Sequence, residues 1–345
     1  MATSGTVTYR PTAATVISQA LTIVGAIDPD AGGSPSATQS SDALTTLNML
    51  AKTWEAKGLQ LWETQYGVIF PAPSQSVFVL GSPGPAGDHA CVSSPLGFGF
   101  VQTALDANAA SGATSISVDT LSSPSTVGTS ATTMANGYYI GIQLDSGDIQ
   151  WTTINGSPVV SAVPLTTALT GAASSGNFVY CYQTKLVRPL RILDGFLRQV
   201  AGEQNSTTQN DVPCIILSRE QYNRFGMKAS GGTPIQLYYD PQENTGHLYM
   251  YPTFSVANQL MFIQYQSPIE DFATTSDDFD LPQEWGEALT WNLALRLCAK
   301  YEVSKVKYDM IKEMAVTLFS QLDAWDQEAA SVFIQPQMWP YSQGK

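Results

Sequence analysis

The chain has 345 residues, of which 16 are Lys or Arg and 29 are Asp or Glu, giving a net charge of −13. With domains usually running to roughly 100–200 residues, that length points to two domains, or three, and the acidic balance excludes a general nucleic-acid coat. Charged residues are only 13% of the chain, about half the roughly 25% of ordinary soluble domains, so a charge-rich disordered polymer is excluded too.

Thr12 is placed to cap a first helix, in which Val16, Ile17, Ala20, Leu21 and Val24 share one face before Gly25 and Asp28 end it. Ser36 with Gln39 makes a capping box for a second helix, whose apolar face of Ala43, Leu44, Leu47, Leu50, Ala51 and Trp54 stops at Gly58. Residues 58–184 then contain no Lys or Arg and six acids. Within this stretch, Gly81, Ser82, Pro83, Gly84, Pro85, Ala86 and Gly87 read as a hinge. An all-β domain is therefore expected at 84–184, able to fold by itself and inserted into a core made of 1–83 and 185–330.

Inside the insert the period becomes two. Tyr138, Ile140, Ile142 and Leu144 alternate up to the turn at 145–148, and Ile149, Trp151 and Thr153 alternate up to Asn155 and Gly156, a favoured hairpin pair. With Ile116 and Val118 before them and Phe178, Tyr180 and Tyr182 after, the pattern predicts a small antiparallel sandwich or barrel. Further strands are expected at Ile235, Leu237 and Tyr239, at Leu248 and Met250, and at Leu260, Phe262 and Tyr265. Pro282 is expected to open a third helix through Trp285, Leu289, Asn292, Leu293, Arg296 and Leu297. After Ser304 a fourth would bury Val306, Met310, Met314, Leu318, Leu322 and Trp325. The fold class is thus α+β: about four helices from both chain ends with a small β-sheet, plus the inserted β-domain. Pro336 and Pro340 forbid a helix in the tail, so 331–345 reads as an extended arm anchored by Val332, Phe333, Ile334, Met338, Trp339 and Tyr341.

Catalytic signatures are sparse. The sequence holds no G-x-S-x-G, Walker A, dinucleotide fingerprint or H-E-x-x-H motif. Cys91, Cys181, Cys214 and Cys298 are too far apart for a zinc site and read as buried free thiols. Seven acids fall between residues 270 and 287, but Asp278 and Asp280 are followed by Leu281 and Pro282, not by the glycine of a calcium loop, so they read as a solvated loop feeding a helix. One basic concentration stands out: Lys185, Arg188, Arg191, Arg198, Arg219, Arg224 and Lys228. These side chains are expected to pair with acids of a neighbouring copy or to touch phosphate. No apolar run reaches the roughly 18 residues of a membrane span, and residues up to Ile27 lack the marks of a signal peptide. The expectation is a soluble, unprocessed protein with no cofactor, no metal and no enzymatic activity.

The pattern of Ala43, Leu44, Leu47, Asn48, Met49, Leu50, Trp54, Gly58, Leu59 and Trp62 resembles the opening of head-to-tail adaptor (connector) proteins of short-tailed, podovirus-type bacteriophages. Leu281, Pro282, Trp285, Ala288, Leu289, Asn292, Leu293 and Ala294 are similar to their C-terminal helical segment. Together with the strands of 234–252, the resemblance covers residues 12–80 and 185–330. The segment 84–184 departs from the shortest members, though Gly141, Ile142, Gln143, Leu144, Asp145, Ser146 and Gly147 resemble β-domains inserted in larger phage tail proteins. The resemblance implies a virion neck protein, assembled in the bacterial cytoplasm as a ring of twelve copies beneath the portal protein; the arm 331–345 is then expected to dock in a groove on the portal, the alternative being that it packs back on its own helices. Such a ring extends the channel for passing double-stranded DNA, where acidic walls resist sticking, and gives tail nozzle and tail fibre proteins a docking surface. Two other classes stay open at this point: a glycan-binding or glycan-hydrolysing tail enzyme using acid pairs of the insert, and a fibre-anchoring or nozzle protein.

Overall fold

The computed structural model describes residues 9–28, 32–57, 61–73, 75–94, 99–123, 131–199, 210–255 and 259–325. The arm residues Val332, Phe333, Ile334, Met338, Trp339 and Tyr341 lie outside them. The architecture is α+β, with five α-helices and several antiparallel sheets among the described residues. It divides into two units, 1–62 with 270–345 and 63–269.

The first unit is helical. α1 (Ala13–Val24) starts at Thr12, whose hydroxyl accepts from the Thr15 amide, and buries Ala13, Val16, Ile17, Ala20, Leu21 and Val24. Its end is a left-handed Gly25 at φ 87°, which only glycine adopts without strain. α2 (Ala37–Glu55) carries the full capping box of Ser36 and Gln39 and buries Ala43, Leu47, Leu50, Ala51 and Trp54. A short α3 (Arg219–Asn223) belongs to the other unit. α4 (Trp285–Leu297) contacts α1, α2 and the last helix, α5 (Lys305–Trp325). It accordingly buries residues around most of its circumference, including Trp285, Ala288, Leu289, Leu293 and Leu297.

Two helix expectations need correction. Pro282 is not in α4; it precedes the helix in a turn, its carbonyl accepting from the Trp285 amide at 3.0 Å. On α5 most of the stripe expected in the core faces outward instead: Val306 is 83% exposed, Met310 52% and Trp325 66%, while Leu318 and Leu322 are half-buried. Ile311 and Ala315 are the buried positions, and the Phe319 ring packs on Trp54 and Trp285 at 5.2 and 5.9 Å. The helical spacing was right and the phase was off by one residue, about 100° around the helix.

The second unit is built on a five-stranded antiparallel sheet in the order 210–213, 191–199, 259–266, 64–69, 90–93. Its central strand, Gln259–Gln266, is buried on both faces. Met261, Ile263 and Tyr265 pack with Leu237, Leu248 and Met250 of a four-stranded sheet ordered 215–216, 236–241, 246–251, 77–80. Leu260 and Phe262, on the opposite face, pack with Phe100, Tyr180 and Tyr182 from the segment 84–184. That segment has a core of its own, in which Val101, Ile116, Ile140, Ile142, Val163 and Val179 meet between a four-stranded and a two-stranded sheet.

The strands 64–69, 77–80 and 191–266 thus share a unit with 84–184, and the division falls at 62/63 and 269/270. Central-strand pairing and the aromatic layer explain why. The glycine-rich stretch at 81–87 is also no loose hinge. Pro85–Gly87 forms a 3₁₀ turn, and a Cβ on Gly81 (φ 74°) would stand 2.3 Å from the Arg188 amide nitrogen. Lys185 pairs with Asp88 and donates to the Gly84 carbonyl at 3.1 Å, clasping the two ends of the segment. The turn at 145–148 forms as expected, with the Leu144 amide donating to the Asp148 carbonyl. Asn155 and Gly156 do not make the next hairpin turn: Asn136 accepts from the Gly156 amide, and the chain reverses later, where Val159 and Ala162 pair around Val160 at φ 61°.

Candidate interaction surfaces

Besides Lys185, the six other basic candidates fall into distinct physical settings. Arg198, 6% exposed, lies on the strand Arg191–Gln199, donates through Nε and Nη2 to both oxygens of Asp211 at 2.7 Å, and covers the Phe262 ring at 4.3 Å. A bidentate guanidinium held this way is a structural tie, not a phosphate reader. Arg219 pairs with Asp240 and donates to the Tyr238 hydroxyl at 2.8 Å, and Arg224 pairs with Glu220 one turn back on α3. Their side chains are 67% and 75% exposed. The exposed Arg224–Glu220 pair holds by about 1 kcal/mol or less, while Asp240 is largely buried beneath the Arg219 guanidinium. Lys228 donates to the carbonyls of Phe225 and Asn223 and sits 5.4 Å from the Tyr222 ring centre. Arg188 is half-buried with its guanidinium at the Gln242 carbonyl, and Arg191 is exposed.

Beside Arg219 and Lys228 lies an aromatic band that period-2 reading missed. Tyr238 and Tyr249 stack across neighbouring strands at 5.5 Å, Tyr222 of α3 covers both at 5.2 Å, and Phe225 stacks on Tyr251 at 4.1 Å. The signal was available in the alternating Tyr249 and Tyr251 opposite Tyr238, which mark a second apolar face on one hairpin. Ile215 and Ile235, 61% and 45% exposed, join at the sheet edge through an amide-to-carbonyl bond of 2.9 Å.

In the helical unit, the residues behind the adaptor resemblance come together. Trp54 and Trp62 lie 5.5 and 6.4 Å from Trp285. The Asn48 side chain donates to the Phe272 carbonyl at 3.0 Å and accepts from its amide at 2.9 Å, across 224 positions of sequence. Asn292 donates to the carbonyls of Ala288 and Ala315, joining α4 to α5.

The groups weighed for chemistry have structural duties. Asp277 accepts from the Thr274 hydroxyl and amide at 2.7 Å, which holds its carboxyl below the usual range, and the Asp280 carboxylate accepts from the Glu270 amide. Asp145 is likewise held low by the Ser174 amide and by the Asn177 and Ser174 side chains. Burial pushes Cys181 up to about 12 and Cys214 to about 11, so both are protonated thiols at neutral pH. His89 is 7% exposed, and burial, with the Lys185 ammonium nearby, lowers it to about 4, so its imidazole is neutral at pH 7. Among the described residues no group of His, Cys, Asp and Glu is placed to hold a metal ion, and no helix is long and apolar enough to cross a membrane. No protein-family model and no curated protein matches the chain.

Proposed function

We propose that this chain is a head-to-tail adaptor of a short-tailed bacteriophage, a structural virion protein that forms a ring beneath the portal, extends the DNA channel and carries nozzle and fibre proteins. The observation that supports it most is the convergence of the motif residues. Trp54, Trp62 and Trp285 lie in one aromatic cluster although they come from opposite ends of the chain. Two separate segments carry the resemblance, and their packing into one helical unit is what an adaptor core requires. Residues 84–184 are then an inserted β-sandwich, and the basic set is a lateral contact in which Arg219 and Arg224 exchange an intramolecular acid for one on a neighbouring copy. The net charge of −13 suits a conduit that DNA passes without adhering.

Co-purification with the portal protein of the same virus tests this reading. An adaptor is retained by portal alone. A fibre-anchoring or nozzle protein is retained by tail proteins and not by portal, and a tail glycosidase releases reducing sugar from host-surface polysaccharide. Either of those two outcomes without portal binding overturns the adaptor assignment.

A further inference from the structure

The β-rich unit holds a cavity of about 330 Å³, at the lower end of the roughly 300–1,000 Å³ over which small-molecule sites range. Phe70, Val79, Ile149 and Trp151 supply apolar walls, Gln75 and His89 supply the polar side chains, and among the described residues no acid, Lys or Arg lines it. Trp151 is fixed in its wall. It lies across Gly141 of the neighbouring strand, where a Cβ would stand 2.7 Å from the indole, and its ring centre is 5.6 Å from that of Phe70. Trp151 and Ile149 are only half-buried, so apolar surface is left at the cavity for something else to cover.

His89 departs from this apolar lining. It is 7% exposed, its Nε2 is buried without a hydrogen-bond partner, and the Phe78 ring packs edge-on against it at 5.3 Å. The imidazole bonds to the Val79 backbone in the sense that favours the ring proton. The nitrogen bound there therefore carries the hydrogen, and Nε2 of the neutral ring keeps its lone pair. A buried acceptor with no donor is costly to the fold, and a ligand that donates to it relieves that cost.

We propose that this cavity binds a free, uncharged, single-ring aromatic molecule with one hydrogen-bond donor, of the phenol class. The ring packs against Trp151 and Phe70 in edge-on or offset contact, and its hydroxyl donates to Nε2 of His89. A charged ligand finds no counter-ion in the lining. A sugar is served poorly: Gln75 already donates through Nε2 to the Val77 carbonyl at 3.0 Å, and the several hydroxyls of a pyranose would have two polar side chains to satisfy them.

The proposal goes beyond the adaptor reading and does not rest on it, since phenol binding and portal binding succeed or fail separately. Fluorine NMR titration of the full-length protein with 4-fluorophenol and with fluorobenzene, the same ring without the donor, tests it. The inference predicts that the phenol binds about tenfold more tightly. His89→Phe, which keeps a ring in the wall and removes the acceptor, should bring the two affinities within about twofold of each other, and Trp151→Ala should weaken both. Equal affinities in the unaltered protein, or no binding at all, overturn the proposal without recourse to the variants. So does a phenol preference that survives His89→Phe. Tighter binding of methyl glucoside or of N-acetyl-tyrosinamide than of 4-fluorophenol also overturns it, assigning the cavity to a sugar or to a partner's tyrosine side chain.

Discussion

Asn48 replaces a missing strand neighbour for Phe272: its amide group donates to and accepts from that residue's backbone as a β-bridge partner does. Asn48→Ala leaves both Phe272 groups short of a partner in a partly buried setting. A loss of about 2 kcal/mol is expected in urea unfolding. Asn48→Asp, nearly the same shape but with no donor, should lose a comparable amount; full stability in either variant would show that water replaces the side chain without cost. His89 acts at the same scale through pH. Its folded value of about 4 lies below the ordinary 6.5, so between those values the unfolded chain binds a proton that the folded chain refuses. The resulting stabilisation is complete above pH 6.5 and is lost as pH falls toward 4, up to about 3 kcal/mol in all. His89→Phe should flatten the fall in urea midpoint across that window, and an unchanged slope would mean that other groups carry it.

At the scale of elements, α5 is the clearest test of packing. Ile311→Ala empties a fully buried position and should cost about 3 kcal/mol. Met310→Ala, one residue away and half exposed, should cost less than about 1 kcal/mol. Thermal melts of the two variants decide whether the helix is phased as described; the reverse order of effects would rotate it by one residue. The same helix marks a limit of what sequence alone made legible. A period of four through Val306, Met310 and Met314 is as regular as a buried stripe, and nothing local distinguishes it from Ile311 and Ala315, one position on. α1 and α2 were readable because Thr12, Gly25, Ser36 and Gln39 fix their ends while a single apolar face fixes their phase. The strand Arg191–Gln199 was missed because Arg191, Asp194 and Arg198 interrupt its alternation, and the bidentate pairing of Arg198 with Asp211 helps make that charge tolerable inside a sheet. Tyr180 and Tyr182 were found in period, but the burial of the intervening Val179 and Cys181 was not, since it needs a second layer on the other face of the strand. For the interaction surfaces, the basic residues were identifiable from composition; their acid and aromatic partners, brought from distant positions, were not.

At the scale of the whole molecule, the sequence is ordered as two helical ends around a β-rich middle that is free of Lys and Arg from residue 58 to 184. Such a chain can offer helix and sheet surfaces to different neighbours, which is the demand placed on a protein between a portal and a tail. Closed-ring assembly requires heterologous lateral contacts that repeat until they close. The exposed Arg219 and Arg224 side chains and the edge isoleucines Ile215 and Ile235 are the surfaces that the proposal assigns to such contacts. The central claim is adaptor assembly on the portal, and native mass spectrometry of the portal complex tests it most directly. The account predicts a single particle carrying many copies of this chain per portal ring, in the integral ratio of a closed ring; a particle with one or two copies, or portal alone, contradicts it.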